Sequence, residues 1–162
     1  MERFRLVRID SRLIHGQVIT KWLKRVDANK IIIIDNQLAN DDFMKSIYVM
    51  AAPSDVKVEV YTIEDAIAQY NEDQFGSDKI LVLMKDVQTT YDVIKNGLAF
   101  PKVQIGGLGA GPNKKKAYGP IYFSDQDFKQ LKELHDEGVD IVLHQVPDEA
   151  ALEFSKVIPK FS

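Results

Sequence analysis

The chain has 162 residues, 45% of them hydrophobic, and a formal net charge of −3 at pH 7. That is the length of one soluble domain with a sizeable core, and its charge argues against nucleic acid as the main partner. The aliphatic run Ile31 to Ile34 is far short of a bilayer span, and MERFRLVRID has no signal-peptide stretch, so a cytoplasmic location is expected; the lack of cysteine excludes disulfides and thiol chemistry.

Short β-branched runs alternate with helical patterns. Phe4 to Ile9 reads as a strand, and Gly16 to Arg25 as a helix whose Val18, Ile19, Trp22, Leu23 and Val26 form an apolar stripe. Lys30 to Ile34 is continuously apolar and ends in Asp35, as in a strand buried on both faces. Asp41 to Ala51 is predicted as a helix stopped by Pro53, with Phe43, Ile47 and Met50 as its buried stripe. Lys57 to Tyr61 is the third strand, after which Thr62 and Asp65 open a helix with a capping-box pattern.

Lys79 to Met84 is the fourth strand, followed by a helix from Val87 to Lys95 with Gly97 as its cap. Val103 to Ile105 is the fifth strand, leading into the loop GGLGAGPNKKK. Tyr118 to Phe123 reads as a further strand, antiparallel or at an edge. Ser124 and Asp127 open a helix ending at Gly138; Val139 to Leu143 is the last strand, and Asp148 to Val157 the last helix. Strands joined by helices imply βαβ crossovers. The expected fold is a doubly wound α/β domain spanning 1–162, its mainly parallel sheet covered by helices on both faces.

In such sheets, sites form beyond the carboxyl ends of the strands. The residues there are Asp10 to His15, Asp35 to Gln37, Thr62, Lys85 and Asp86, Gly106 and Gly107, and Gln145. The first of these turns, RIDSRLIHGQV, is the most specific. His15 stands where a strand turns into a helix, so free amides and the helix dipole favour an anion. Arg8 and Arg12 can add charge-assisted bonds to phosphate, and Gly16 permits close approach. The imidazole suits a nucleophile that carries a phosphoryl group; the arginines favour its neutral form, while Asp10 orients it and pushes the other way. A surface histidine bonded to its own loop is the other reading.

His135 is expected on an exposed helix face; His144, closing the last strand, is read as making a structural hydrogen bond, with facing the site as the alternative. These dispersed histidines make no zinc motif, and no cofactor or metal is expected. GGLGAG lacks the following helix of a dinucleotide fingerprint, and GxxxxGK[ST] is absent, which disfavours a nucleotide-dependent kinase. Lys114, Lys115 and Lys116 read as a solvated loop, or as a docking point for an acidic partner.

RIDSRLIHGQV, followed by Trp22, closely resembles the active-site loop of the IIB components of the mannose/fructose/sorbose family of the bacterial sugar phosphotransferase system. Asp35 with Asn40 and Asp41, Ala51-Ala52-Pro53, Ile105-Gly106-Gly107 and Gln145-Val146-Pro147 resemble its later segments in the right order. The resemblance implies a phosphocarrier. His15 would accept a phosphoryl group from a phosphohistidine of a IIA protein or domain and pass it to a sugar entering through the membrane components IIC and IID, keeping the chain peripheral to the membrane. Arg12, Gly16 and, less directly, Arg8 would bind the phosphate, with Asp10 orienting the loop. A non-enzymatic anion-binding or regulatory module on the same fold is the alternative.

Overall fold

A computed structural model describes residues 3–161; the other members of the expected domain, Met1, Glu2 and Ser162, lie outside them. The elements run β1 (Phe4–Asp10), α1 (Gly16–Val26), β2 (Lys30–Ile34), α2 (Asn36–Ala39), α3 (Asp42–Ala51), β3 (Lys57–Tyr61), α4 (Ile63–Asp73), β4 (Ile80–Met84) and α5 (Val87–Lys95). Then follow β5 (Lys102–Gly107), β6 (Lys114–Tyr118), β7 (Ile121–Ser124), α6 (Asp125–Asp136), β8 (Asp140–Leu143), β9 (Leu152–Glu153), a 3-10 turn at Phe154–Lys156 and α7 (Ile158–Phe161).

Seven strands form one sheet in the order β3-β2-β4-β1-β5-β8-β9, parallel throughout except for β9. The alternation of side chains sorts its core into two layers. Ile31 and Ile33 of β2 and Leu81 and Leu83 of β4 pack with Ile19, Trp22 and Leu23 of α1, while Met44 and Tyr48 of α3 border that layer. Ile32, Ile34, Ile80 and Val82 face the opposite layer, with Ala66 of α4, Val93 of α5 and Leu131 and Leu134 of α6. Removing each such aliphatic side chain from water contributes about 1.5–3 kcal/mol. The doubly wound α/β architecture expected from the strand–helix alternation is therefore present. Ser124 and Asp127 form the reciprocal capping box, whereas at the other expected box Thr62 accepts from the Asp65 amide, which is its N-cap half.

Three expected elements differ. Phe43 and Met50 are 72% and 83% exposed and Ile47 is also exposed, so the predicted inner stripe of α3 points outward. The helix has a second apolar line one residue along, Met44 and Tyr48, and that line meets the core. Asp148 to Val157 is not a helix: Leu152 and Glu153 pair antiparallel with β8 as the sheet edge, and Phe154 is buried in the following turn. Leu152 and Phe154 are two residues apart, the spacing of extended chain rather than helix. Finally, the lysines form a strand instead of a loop. Lys114–Tyr118 and Ile121–Ser124 make an antiparallel hairpin apart from the main sheet, and Tyr118 to Phe123 spans its turn.

This layering predicts a contrast in stability. Ile34→Ala should lower the unfolding free energy by about 2–5 kcal/mol, whereas Met50→Ala should change it by less than about 0.5 kcal/mol, both read from urea midpoints. A loss at Met50 matching that at Ile34 would show that the α3 stripe is covered in solution.

Candidate active site

Side chains of β1 alternate, so Val7 and Ile9 enter one hydrophobic layer while Leu6, Arg8 and Asp10 face α1. Parallel register sets Arg8 beside Gln104 of β5. Arg8 and Asp10 are both fully buried and paired: Arg8 Nη2 donates to Asp10 Oδ2 at 3.0 Å, while Arg8 Nε is buried without a hydrogen-bond partner. Arg8 Nη1 donates to Gln104 Oε1 and to the His144 carbonyl, the latter at 3.1 Å, and Nη2 reaches the Gln145 carbonyl at 3.0 Å. Trp22 covers the guanidinium, its ring centre 5.6 Å from Arg8 Cζ, and its indole N–H donates to the same Gln145 carbonyl at 2.9 Å. Burial lowers the Arg8 pKa and the charge of Asp10 opposes that shift.

Gly106 makes room for this pair. A Cβ there would lie 2.0 Å from Arg8 Cζ, inside the volume of the guanidinium. At Gly107 a Cβ would press on Arg12 Nη2 at 3.1 Å and Asp10 Oδ1 at 3.2 Å. The Gly-Gly pair is thus the end of β5, shaped around the two arginines.

Above the sheet, Asp10 organises the loop. Its Oδ1 accepts from the Arg12 amide and from Arg12 Nε, both at 3.1 Å, and its Oδ2 accepts from Arg12 Nη2 at 3.1 Å. The Arg12 side chain remains 46% exposed. Leu13 adopts a left-handed φ of 55° to drop its side chain into the core, a backbone state costing on the order of 1–3 kcal/mol for such a residue. Gly16 has a φ of 45°, and there the glycine serves the backbone, since nothing surrounds its Cβ position.

His15 is the N-cap of α1, without a side-chain capping bond and without an acidic residue in the first turn, so neither a cap nor a carboxylate of that turn competes with an anion for the first-turn amides. Its side chain is 18% exposed. Of its two ring nitrogens, Nε2 is buried 3.4 Å from Asp10 Oδ2, with no hydrogen bond of good geometry. Desolvation and then Arg12 lower the His15 pKa below its ordinary 6.5, with Asp10 opposing and Arg8 adding a smaller downward push. A neutral imidazole at a helix N-terminus, under the charge of Arg12, can attack an electrophilic phosphorus through the nitrogen that does not face Asp10.

The expected site residues divide accordingly. His15, Arg12, Asp10 and Gly16 meet in the loop. Arg8, expected among the phosphate-binding groups, lies instead beneath it with no exposed surface. Arg3, part of the same arginine-rich stretch, reaches the carbonyls of Asp73 and Gln74 at the far end of the sheet. His144 hydrogen-bonds through Nε2 with the Glu149 carbonyl at 2.7 Å and stacks edgewise on Trp22 at 4.8 Å, a structural role. His135 is half-buried against Phe154. Gln104 was not singled out from sequence, although a polar residue inside the apolar strand VQI is the signal for it. Lys114 and Lys116 are exposed on the hairpin that leaves the sheet after Gly107, while Lys115 is held by the Lys160 carbonyl and lies over the ring of Phe161.

The model of the PTS system sorbose subfamily IIB component matches residues 4–162. A sorbose-specific EIIB component of Lacticaseibacillus casei is 34% identical over 141 residues, covering 87% of this chain and 86% of that one. The IIBSor domain of the sorbose permease from Klebsiella pneumoniae superposes with a TM-score of 0.92 at 30% identity, covering 99% and 98% of the two chains. The manxB structure from Thermoanaerobacter tengcongensis gives 0.90 at 37% identity over 96% and 95%. The chain belongs to the sorbose-subfamily IIB components of the sugar phosphotransferase system, within the mannose/fructose/sorbose family.

Proposed function

We propose that this IIB component is a phosphocarrier in which His15 Nδ1 takes a phosphoryl group from a phosphohistidine of a IIA protein or domain and delivers it to a sugar. The observation that carries the reading is the orientation of the imidazole, with Nε2 buried toward Asp10, which makes Nδ1 the nitrogen that would take the phosphoryl group. IIB components of this system work with IIA and membrane IIC components; IID is the further membrane partner expected here, and the chain would meet both from the cytoplasm. Among the described residues no helix is long and apolar enough to cross a membrane.

The chemistry follows from the tautomer. Asp10 favours the proton on Nε2, leaving the Nδ1 lone pair free. In the first transfer the donor's N–P bond breaks as the Nδ1–P bond forms. The ring, still protonated at Nε2, becomes cationic, and Asp10 stabilises that charge. Arg12 and the first-turn amides of α1 hold the phosphoryl oxygens. In the second transfer the sugar hydroxyl oxygen bonds to phosphorus, the Nδ1–P bond breaks, and the hydroxyl proton leaves to solvent. The ring returns to neutral with its Nε2 proton in place. In this reading Arg8 positions Asp10 and makes no contact with phosphate. The exposed Arg12, with Lys114 and Lys116, supplies positive potential for docking the acidic surface of a donor.

An anion-binding module would use the same arginine and amides without forming a covalent adduct. Labelling with a phosphorylated donor separates the two. His15→Ala should lose the label while unfolding within about 0.5 kcal/mol of the parent protein, because the side chain adds little to the core. His144→Ala should still be labelled. Label retained in His15→Ala, or lost only in His144→Ala, would overturn the assignment.

The electrostatics give a second expectation. His15 should titrate below 6.5, because burial and Arg12 both oppose its charging. A histidine with a depressed folded pKa contributes stability above its unfolded value, and that contribution is lost as pH falls through the window below 6.5. Arg12→Ala should raise the His15 pKa and Asp10→Asn should lower it, followed by NMR of the ring carbons across pH 4.5–8 (roughly the useful range for histidine). Unchanged titration in Arg12→Ala would show that the guanidinium does not act on the ring.

A further inference from the structure

The apolar line of α3 that turns away from the core is not used by the chemistry at His15. Phe43, Ile47 and Met50 recur at i, i+4 and i+7, so they share one side of the helix. They are 72%, 41% and 83% exposed, and Val49, at 49%, flanks them. Of the large hydrophobic side chains exposed among the described residues, only Tyr118 lies elsewhere. Single exposed apolar residues are ordinary, but a contiguous row marks an interaction surface. We propose that this stripe is where the carrier docks on its membrane partner, against a cytoplasmic segment of IIC or IID that presents basic and apolar side chains. The inference rests on the phosphocarrier reading above.

Position ties the stripe to the reaction. Ser11 and Leu13 of the reactive loop and Asp41, Met44 and Tyr48 of α3 line the same cavity. Leu13 is packed in one layer with Met44 and Tyr48, and it stands two residues before His15, a span of at most about 7 Å. A protein lying along α3 and across the mouth of that cavity comes to the edge of the turn that carries His15.

Charge selects the partner. Asp41 and Asp42 are exposed at the end of α3 nearest the loop. Lys45, the one cation within the helix, is two residues from Phe43 and leaves on the opposite side. Lys85, at the cavity, is engaged by Asp35 at 3.7 Å and by Gln37 at 3.4 Å. An acidic donor would meet like charge here, whereas Arg12, Lys114 and Lys116 offer it the opposite sign. The surface that fits α3 is basic, and cytoplasmic loops of membrane proteins carry an excess of Lys and Arg. Size agrees with a passing contact. Four partly exposed side chains fall short of the roughly 800 Å² that each partner gives to a lasting interface. That disfavours a stable dimer of this chain and suits a contact made and released with each phosphoryl group.

Two measurements on the full chain test the proposal. In the first, with no donor present, the chain is co-sedimented with vesicles carrying IIC and IID and with the same vesicles lacking protein. Binding should require IIC and IID, and Phe43→Ser combined with Met50→Ser should weaken it about tenfold. Binding that is equal on bare vesicles, absent from both, or untouched by the double variant would overturn the proposal. In the second, His15 is labelled by the donor and the label is passed to sugar in the vesicles carrying IIC and IID. The double variant should be labelled at the parent rate but show a KM for the labelled carrier raised about tenfold. Asp41→Asn with Asp42→Asn, which keeps the α3 cap, should flatten the rise of that KM with salt; an unchanged salt slope would overturn the assignment to a basic partner. An unaltered KM would overturn the docking itself. Slower labelling of the double variant would do the same by making the stripe a donor-docking face. A parent mass that grows with concentration, with the growth abolished in the double variant, would assign the stripe to a second copy instead. If no donor labels His15 in the parent chain, the phosphocarrier reading fails, while the vesicle binding still decides the stripe.

Discussion

The buried ion pair between Arg8 and Asp10 sets the terms for everything above it. Two charges taken out of water are costly unless every remaining donor and acceptor is matched, and breaking such a pair by removing one partner typically costs about 3–5 kcal/mol. The surroundings meet most of the cost. Gln104 and two carbonyls take the other Nη protons, while Nε is buried without a partner; Gly106 leaves the space, and Trp22 lies over the top. What the arrangement secures is a carboxylate whose position is fixed from below, free to hold the Arg12 amide and side chain above. The loop geometry descends from a pair that solvent never touches.

This also explains how a negatively charged chain keeps an imidazole neutral. A lone carboxylate 3.4 Å from Nε2 would favour the imidazolium. Here Asp10 is bonded to two guanidinium groups, and desolvation with Arg12 prevails over its upward push on His15. In the proposed mechanism the free ring is ready to attack, and Asp10 would remain available once phosphorylation made the ring cationic. One carboxylate serves both states because its charge is shared rather than cancelled.

Much of the fold was legible because side-chain period and strand burial speak directly. Ile31 to Ile34 reads as a strand buried on both faces, and it sends alternate residues into two layers. The loop from Asp10 to Gly16 was legible from residue types alone. The failures have local causes. Helix α3 carries two apolar lines one residue apart, and periodicity cannot say which meets the core. Leu152 and Phe154 become edge strand and turn because β8 offers an unpaired edge, which is tertiary information. Arg8 looked like a phosphate ligand because charge near a histidine suggests contact. Its depth follows only from counting the β1 alternation and pairing it with Gln104 and Gly106.

The central claim is chemical: Asp10 reserves Nε2 for the proton, so the phosphoryl group goes to Nδ1. Long-range proton–nitrogen correlation NMR on the phosphorylated protein, labelled with nitrogen-15 in histidine, assigns the phosphorylated ring nitrogen of His15 directly. The account predicts phosphorus coupling at Nδ1 with Nε2 carrying hydrogen. Coupling at Nε2 would contradict it, since that nitrogen would first have to leave Asp10 and the buried floor of the loop.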